Sequence, residues 1–203
     1  MVMPNVQKGY SMQELIDKIK RDGVVRPGDV LKVDGFLNHE CDIDLFDRMG
    51  AEWARLFEGR PVDKILTIEA SGIALACIAS LHFGRVPVVF ARKSQGKNLD
   101  GDLYHAVVHS YTHDVDNNVI VERRMLSKGE NVLIFDDFLA KGAAIRGLLE
   151  ICRQAEVNVQ GSGIAIEKGF QSGGHDLRAM GYDVKSLAIL KSMDGETGTI
   201  EFE

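Results

Sequence analysis

The stretch from Val132 to Ile145 constrains the fold more than any other part of this sequence. Four apolar residues, Val132 to Phe135, run into two adjacent carboxylates, Asp136 and Asp137, before a loop of small residues. This order predicts a buried strand that ends at the acids, then a loop, then a helix from Ala143 to Gln154. Ligands of open α/β sheets bind beyond the carboxyl ends of the strands, so the sequence predicts that both acids face a site.

The residues that follow the strand indicate the chemistry of this site. Where a strand ends and the chain turns, two neighbouring acids can both reach two hydroxyls of a ribose. The loop opens a helix whose first turn has unpaired N–H groups and the positive end of the helix dipole, a combination that binds phosphate. Together these features favour a phosphorylated sugar as ligand. The loop consists of Ala140, Lys141, Gly142, Ala143 and Ala144.

The alternative interpretation of the same stretch is a solvated Asp-Asp turn that caps the helix, since Asp is favoured at helix starts. Phe138 and Leu139 weaken this alternative. Apolar residues directly after the acids indicate a packed segment, whereas a surface turn would be polar.

The rest of the chain alternates predicted strands and helices. The strand Lys64 to Ile68 precedes a helix from Ile73 to Phe83, and residues 94–128 have the pattern of a β-hairpin. This alternation predicts an α/β fold with a mainly parallel, doubly wound sheet. A chain of 203 residues without a Pro/Gly/Ser-rich linker is expected to form a single domain over residues 1–203.

The central stretch resembles the phosphoribosyl-pyrophosphate (PRPP) binding motif of the type I phosphoribosyltransferases. In that motif an apolar strand, two acids and a short link lead into a small-residue phosphate loop. The chain departs from the pattern at Lys141, where the family more often has Asn. Four further segments resemble the xanthine phosphoribosyltransferases within this family, in the same order: Lys32 to His39, Thr67 to Ala74, Pro87 to Lys93 and Ile166 to Gly173. The likeness runs from about Leu15 to Phe202.

The resemblance implies an activity and a set of site residues. The activity is transfer of the 5-phosphoribosyl group of PRPP to xanthine, which forms xanthosine 5'-monophosphate and pyrophosphate in purine salvage. Asp136 and Asp137 would be the catalytic residues at the ribose, and residues 140–144 would bind the 5-phosphate. Ser71, Gly72, Arg92 and Lys93 would bind the diphosphate, and Leu31, Asn38 and Lys168 would bind the base.

The resemblance also implies a cofactor and several structural features. Mg²⁺ would be held largely by the substrate, and no protein metal site is expected. A small hood from about residues 24–39 and the region after Lys168 would cover the purine. A mobile flap would include Ser110, Tyr111 and Thr112, a cis peptide would join Ala70 to Ser71, and the protein would be a homodimer.

The residues that the resemblance assigns to the base and to the diphosphate also have ordinary structural interpretations. Without the family, Asn38 is a turn residue and Lys168 a surface lysine beside a turn. Ser71 and Gly72 are then a simple strand-to-helix turn. Arg92 and Lys93, together with Lys97, are equally typical of a solvated loop.

Charge and composition exclude several classes of function. A net charge of −6 argues against nucleic acid or an acidic membrane as partner. Cys41, Cys77 and Cys152 are far apart, as is typical of reduced core cysteines, and no signal or membrane-spanning pattern occurs, so a cytoplasmic protein is expected.

Two other functional classes compete with the transferase. A purine- or PRPP-responsive regulator can keep this fold without catalysis, but such regulators usually add a DNA-binding domain, for which we expect no room in 203 residues. A haloacid-dehalogenase phosphatase also has an apolar strand that ends in acids. It requires acids two positions apart, whereas Asp136 and Asp137 are adjacent.

Overall fold

The structure, a computed structural model, describes residues 11–94, 102–110 and 115–203. Its ten strands, in chain order, are β1 Val24–Arg26, β2 Val30–Lys32, β3 Lys64–Ile68, β4 Val88–Ser94, β5 Leu103–Ser110, β6 Val115–Glu122, β7 Asn131–Leu139, β8 Asn158–Lys168, β9 Val184–Met193 and β10 Ile200–Phe202. Eight of them form one sheet in the order β10-β9-β8-β7-β3-β4-β6-β5. The central five, β9 to β4 in this order, run parallel.

Helices cover both faces of the sheet. They are α1 Gln13–Asp22, α2 Ile43–Leu56, α3 Ser71–Ser80, α4 Ala143–Ala155 and α5 Ser172–Ala179. Alternate residues of β7 serve the two faces: Leu133 and Phe135 pack with α1, α2 and α3, while Val132 and Ile134 pack with α4 and α5. Both faces of a parallel sheet are thus buried, and the prediction of a doubly wound α/β sheet is confirmed.

The prediction that the central strand ends at the acids is wrong. β7 continues through both acids to Leu139, because β8 goes on pairing with it and places Asp136 opposite Ile164 and Phe138 opposite Ile166. On its other side, β3 pairs with β7 only as far as Ile134. The acids therefore lie in a strand that has lost one neighbour, which opens a cleft beside them.

Two antiparallel hairpins flank this cleft. β5 and β6 extend the sheet beyond β4, and a pair of hydrogen bonds between the His105 backbone and the Gln154 side chain anchors β5 to α4. β1 and β2 form a separate hairpin, here called the N-terminal hairpin, whose turn contains Gly28 and Asp29, both with positive φ. Three residues named in the sequence analysis, Lys97 of the loop after β4 and Tyr111 and Thr112 of the predicted flap, lie outside the described residues.

No helix in the described ranges has the length and apolar character that crossing a bilayer requires.

Candidate active site

A cleft of about 740 Å³ opens at the carboxyl ends of the parallel strands. It collects most of the predicted site residues: Ser71, Lys93, Asp136, Asp137, Ala140, Lys141, Gly142, Ala143, Ala144 and Lys168. Residues 27–30, the turn of the N-terminal hairpin with the first residue of β2, also line the cleft. The cleft thus lies where an open α/β sheet is expected to bind its ligand.

Asp136 and Asp137 form the floor of the cleft. They are buried, with 4% and 8% of their surface exposed. An oxygen of Asp136 accepts the Asp137 N–H, and an oxygen of Asp137 accepts the Phe138 N–H, each at 3.0 Å. Burial, together with the charge of Asp137, raises the pKa of Asp136 well above its usual range. Two buried carboxyl groups side by side can accept hydrogen bonds from a vicinal diol.

The predicted phosphate loop begins α4. Gly142 is the N-cap residue and has a left-handed backbone (φ +79°), and within the described chain no side chain caps this helix end. The first-turn N–H groups of α4 are thus not taken by a capping side chain, as an anion site at a helix start requires. Residues 140–144 all line the cleft.

The turn between β3 and α3 lies on the other side of the acids. Ser71 lines the cleft, and Gly72 is buried behind it. A Cβ atom on Gly72 would lie 2.1 Å from the Thr67 hydroxyl oxygen and 3.5 Å from an Asp136 oxygen, so only glycine fits there. The cis peptide of this turn joins Glu69 to Ala70. The sequence prediction, which placed it at Ala70-Ser71, is wrong by one residue.

The two predicted cations on β4 occupy different environments. Lys93 lines the cleft, and its backbone N–H donates to the Glu69 carboxylate. The Arg92 side chain is 73% exposed, is absent from the lining of the cleft and lies 3.9 Å from Glu69. Of these two adjacent cations, only Lys93 lines the cleft.

The predicted base-binding residues are also only partly together. The Lys168 ammonium lies in the cleft, donates to the Asp29 carbonyl oxygen at 2.7 Å and sits 5.8 Å from the centre of the Phe138 ring. Burial lowers its pKa. Asn38 donates to Asp137 at 3.3 Å. Leu31 is 7% exposed and packs in the core, while its neighbour Val30 lines the cleft.

Sequence reasoning did not assign several residues of the cleft to the site, among them Glu69, Phe138 and Gln171, and it placed residues 27–30 in the predicted hood without naming any of them as a site residue. Glu69 and Gln171 lie inside segments that carried the resemblance, so their position next to the motifs was the available signal. The turn of the N-terminal hairpin lies inside the predicted hood, but which of its residues reach the cleft depends on tertiary packing.

No protein-family model matches the chain. Individual proteins of known name do match it. The chain is 59% identical over 191 residues to a xanthine phosphoribosyltransferase of Bifidobacterium adolescentis, covering 94% of this chain and 99% of that protein. It is 50% identical over 191 residues to the xanthine phosphoribosyltransferase of Clostridioides difficile, covering 94% and 100%. The chain belongs to the xanthine phosphoribosyltransferase family.

Solved structures agree with this assignment at the level of the fold. An adenine phosphoribosyltransferase from Rhodothermus marinus superposes with a TM-score of 0.70 at 21% identity, over 88% of this chain and 100% of that one. At such low identity the likeness concerns the architecture alone. The predictions of family and of a type I phosphoribosyltransferase fold are both confirmed.

Proposed function

We propose that this protein transfers the 5-phosphoribosyl group of PRPP to xanthine, releasing pyrophosphate. In this reaction the bond between ribose C1 and the diphosphate oxygen breaks, and a bond forms between C1 and a ring nitrogen of xanthine, which loses its proton. The observation that carries the proposal is the placement of a buried acid pair between two helix-start loops in one cleft.

The acid pair would serve the sugar. As pyrophosphate leaves, C1 becomes cation-like, and stabilisation must come from groups already in place. Asp136 and Asp137 would accept hydrogen bonds from the ribose hydroxyls and supply negative charge next to C1. Their fixed bonds to neighbouring backbone N–H groups hold their carboxyl groups in position.

The two loops would hold the two ends of PRPP. Residues 140–144 would bind the 5-phosphate at the start of α4, and Ser71 and Gly72 would bind the diphosphate at the start of α3. Lys93 would contact the diphosphate from β4. Arg92, whose side chain is 73% exposed, would turn towards the ligand to contact the diphosphate.

The cleft fits Mg²⁺ that arrives with the substrate. Mg²⁺ prefers oxygen ligands, keeps several waters and is usually bound through one or two carboxylates together with substrate phosphates. Asp136, Asp137 and Glu69 provide carboxylate oxygens along the cleft. The ion would neutralise the leaving diphosphate, and these side chains would orient the sugar beside it.

The base would lie between the sheet and the N-terminal hairpin. Lys168 would donate to an oxo group of xanthine, and Phe138 would contact the purine ring. Asn38, which donates to Asp137, would lie at the edge of the base. The N-terminal hairpin would act as the hood, together with the region after Lys168. Leu31 would support this hood from the core side.

Quaternary structure and compartment are part of the proposal. We expect a homodimer, as the family implies, in the cytoplasm. The three cysteines are free thiols, which suits a reducing compartment.

The test is turnover with purified protein, xanthine, PRPP and Mg²⁺. The expected result is formation of xanthosine 5'-monophosphate and pyrophosphate in equal amounts, many times per protein molecule. A regulatory binding protein of this fold would bind the ligands and form no nucleotide, and that outcome would refute the proposal.

A further inference from the structure

Arg146 connects the phosphate loop to a second helix. From the first turn of α4, one guanidinium nitrogen donates to the Lys141 carbonyl oxygen at 2.7 Å, and another donates to the Asp176 carboxylate on α5 at 3.0 Å. A planar guanidinium can hold two acceptors in a fixed geometry, which an ammonium cannot.

The bond to Lys141 fixes a peptide plane in the loop. In a trans peptide, the carbonyl and the N–H of the next residue point in opposite directions. Holding the Lys141 carbonyl on the Arg146 side therefore sets the direction of the Gly142 N–H. Gly142 lines the cleft and has a left-handed backbone. As a glycine it has no side chain whose packing could hold this conformation.

Helix α5 also contacts the loop through its backbone. The Gly173 N–H donates to the Ala140 carbonyl at 3.1 Å. A Cβ atom on Gly173 would lie 2.3 Å from the Ala140 oxygen and 2.6 Å from the Gly142 nitrogen, so the two segments touch without any side chain between them. Movement of α5 relative to α4 would therefore move the loop directly.

Asp176 completes the link as a charged partner. Hydrogen bonds from Ser172 and His175, and that from Arg146, lower its pKa, so it is ionised at neutral pH. Both Arg146 and Asp176 are about 40% exposed. An ion pair this exposed contributes little to global stability, so its effect is expected in the loop and not in the fold.

We propose that Arg146 is a positioning residue for the 5-phosphate: its link between the Lys141 carbonyl and Asp176 holds the phosphate loop in its binding conformation before the ligand arrives. The inference rests on the proposed function. Holding a loop in its bound conformation raises affinity, because less ordering is required on binding. The effect should appear in PRPP binding and leave the chemical step unchanged.

The experiment measures the Kd of PRPP with Mg²⁺ by calorimetry, and kcat and KM for both substrates. Arg146→Ala is expected to weaken PRPP binding about 5- to 10-fold, the effect of losing the one hydrogen bond that Arg146 makes to the loop, with kcat at saturating PRPP and KM for xanthine unchanged. Arg146→Lys should recover part of the affinity, since an ammonium can serve one of the two acceptors.

The matched control is Arg153→Ala on the same helix. Arg153 pairs with Glu150 within α4, at 2.7 Å, and has no role in the proposed link. Its PRPP affinity and melting temperature should equal those of the wild type. Asp176→Asn, which keeps an acceptor and removes the charge, should weaken PRPP binding about 2- to 3-fold and carries the test if Arg146→Ala fails to fold.

Two results would overturn the inference. One is a PRPP affinity of Arg146→Ala that equals the affinity of Arg153→Ala. If Arg146→Ala fails to fold, the same comparison is made with Asp176→Asn. The other is a loss of kcat at saturating PRPP without a change in affinity. Either result in an active wild-type background refutes the positioning role alone, whereas a wild type that neither binds PRPP nor forms nucleotide refutes the proposed function.

Discussion

Gly72→Ala tests whether the tight packing behind the β3–α3 turn requires a glycine at position 72. The new Cβ would lie 2.1 Å from the Thr67 hydroxyl oxygen, which is buried and, within the described chain, has no hydrogen-bond partner. Thr67 has restricted χ1 freedom and lies in a central strand, so it cannot easily move aside. Overpacking of this kind costs about 1–3 kcal/mol, and the better helix propensity of alanine recovers up to about 1 kcal/mol. With about 2 kcal/mol for the overpacking, the expected net loss in the free energy of unfolding is about 1–2 kcal/mol.

A second substitution isolates the cause. Thr67→Ala removes the hydroxyl that Gly72→Ala would strike, so in that background the same glycine substitution should be neutral or should stabilise the protein by up to about 1 kcal/mol. Urea titrations of the four proteins, with unchanged m-values, would give a coupling energy of about 2 kcal/mol. An equal cost of Gly72→Ala in both backgrounds would refute the explanation.

The other predictions concern the acids and the lysine. Asp136→Asn and Asp137→Asn should fold and lose about 10- to 100-fold in turnover, because bonds to charged acceptors are the stronger ones; near-normal activity in both would contradict their assignment to the ribose. Burial raises the folded-state pKa of Asp136 above its unfolded value, so the free energy of unfolding of the ligand-free protein should fall as pH rises through that folded-state pKa, and denaturant titrations should find this decrease absent in Asp136→Asn. Lys168→Ala should lose about 10- to 100-fold in catalytic efficiency with xanthine, and an unchanged value would remove Lys168 from the base site.

The fold was predictable because local patterns and tertiary packing agree in the sheet. The apolar run before Asp136 is buried on both faces, and the small residues after it do begin a helix. The continuation of β7 past the acids was not predictable, since it depends on pairing with residues of β8 that are distant in the sequence, such as Ile164 opposite Asp136.

The candidate site was predictable where its residues form one local motif. Asp136, Asp137 and residues 140–144 line the cleft together because they are consecutive. Leu31 and Arg92 do not line it, because the facing of each residue depends on its hairpin or strand register. The turn of the N-terminal hairpin reaches the cleft through long-range contacts, among them that of the Asp29 carbonyl with Lys168.

The most direct test of the account is the catalytic efficiency of the wild-type protein with xanthine, guanine, hypoxanthine and adenine, each with PRPP and Mg²⁺. An ammonium donates and cannot accept, so Lys168 suits the 6-oxo group of an oxypurine and not the 6-amino group of adenine. We expect efficient use of xanthine and at least about a 10- to 100-fold lower efficiency with adenine. Comparable use of adenine, the base named for the structural neighbour from Rhodothermus marinus, would contradict the account.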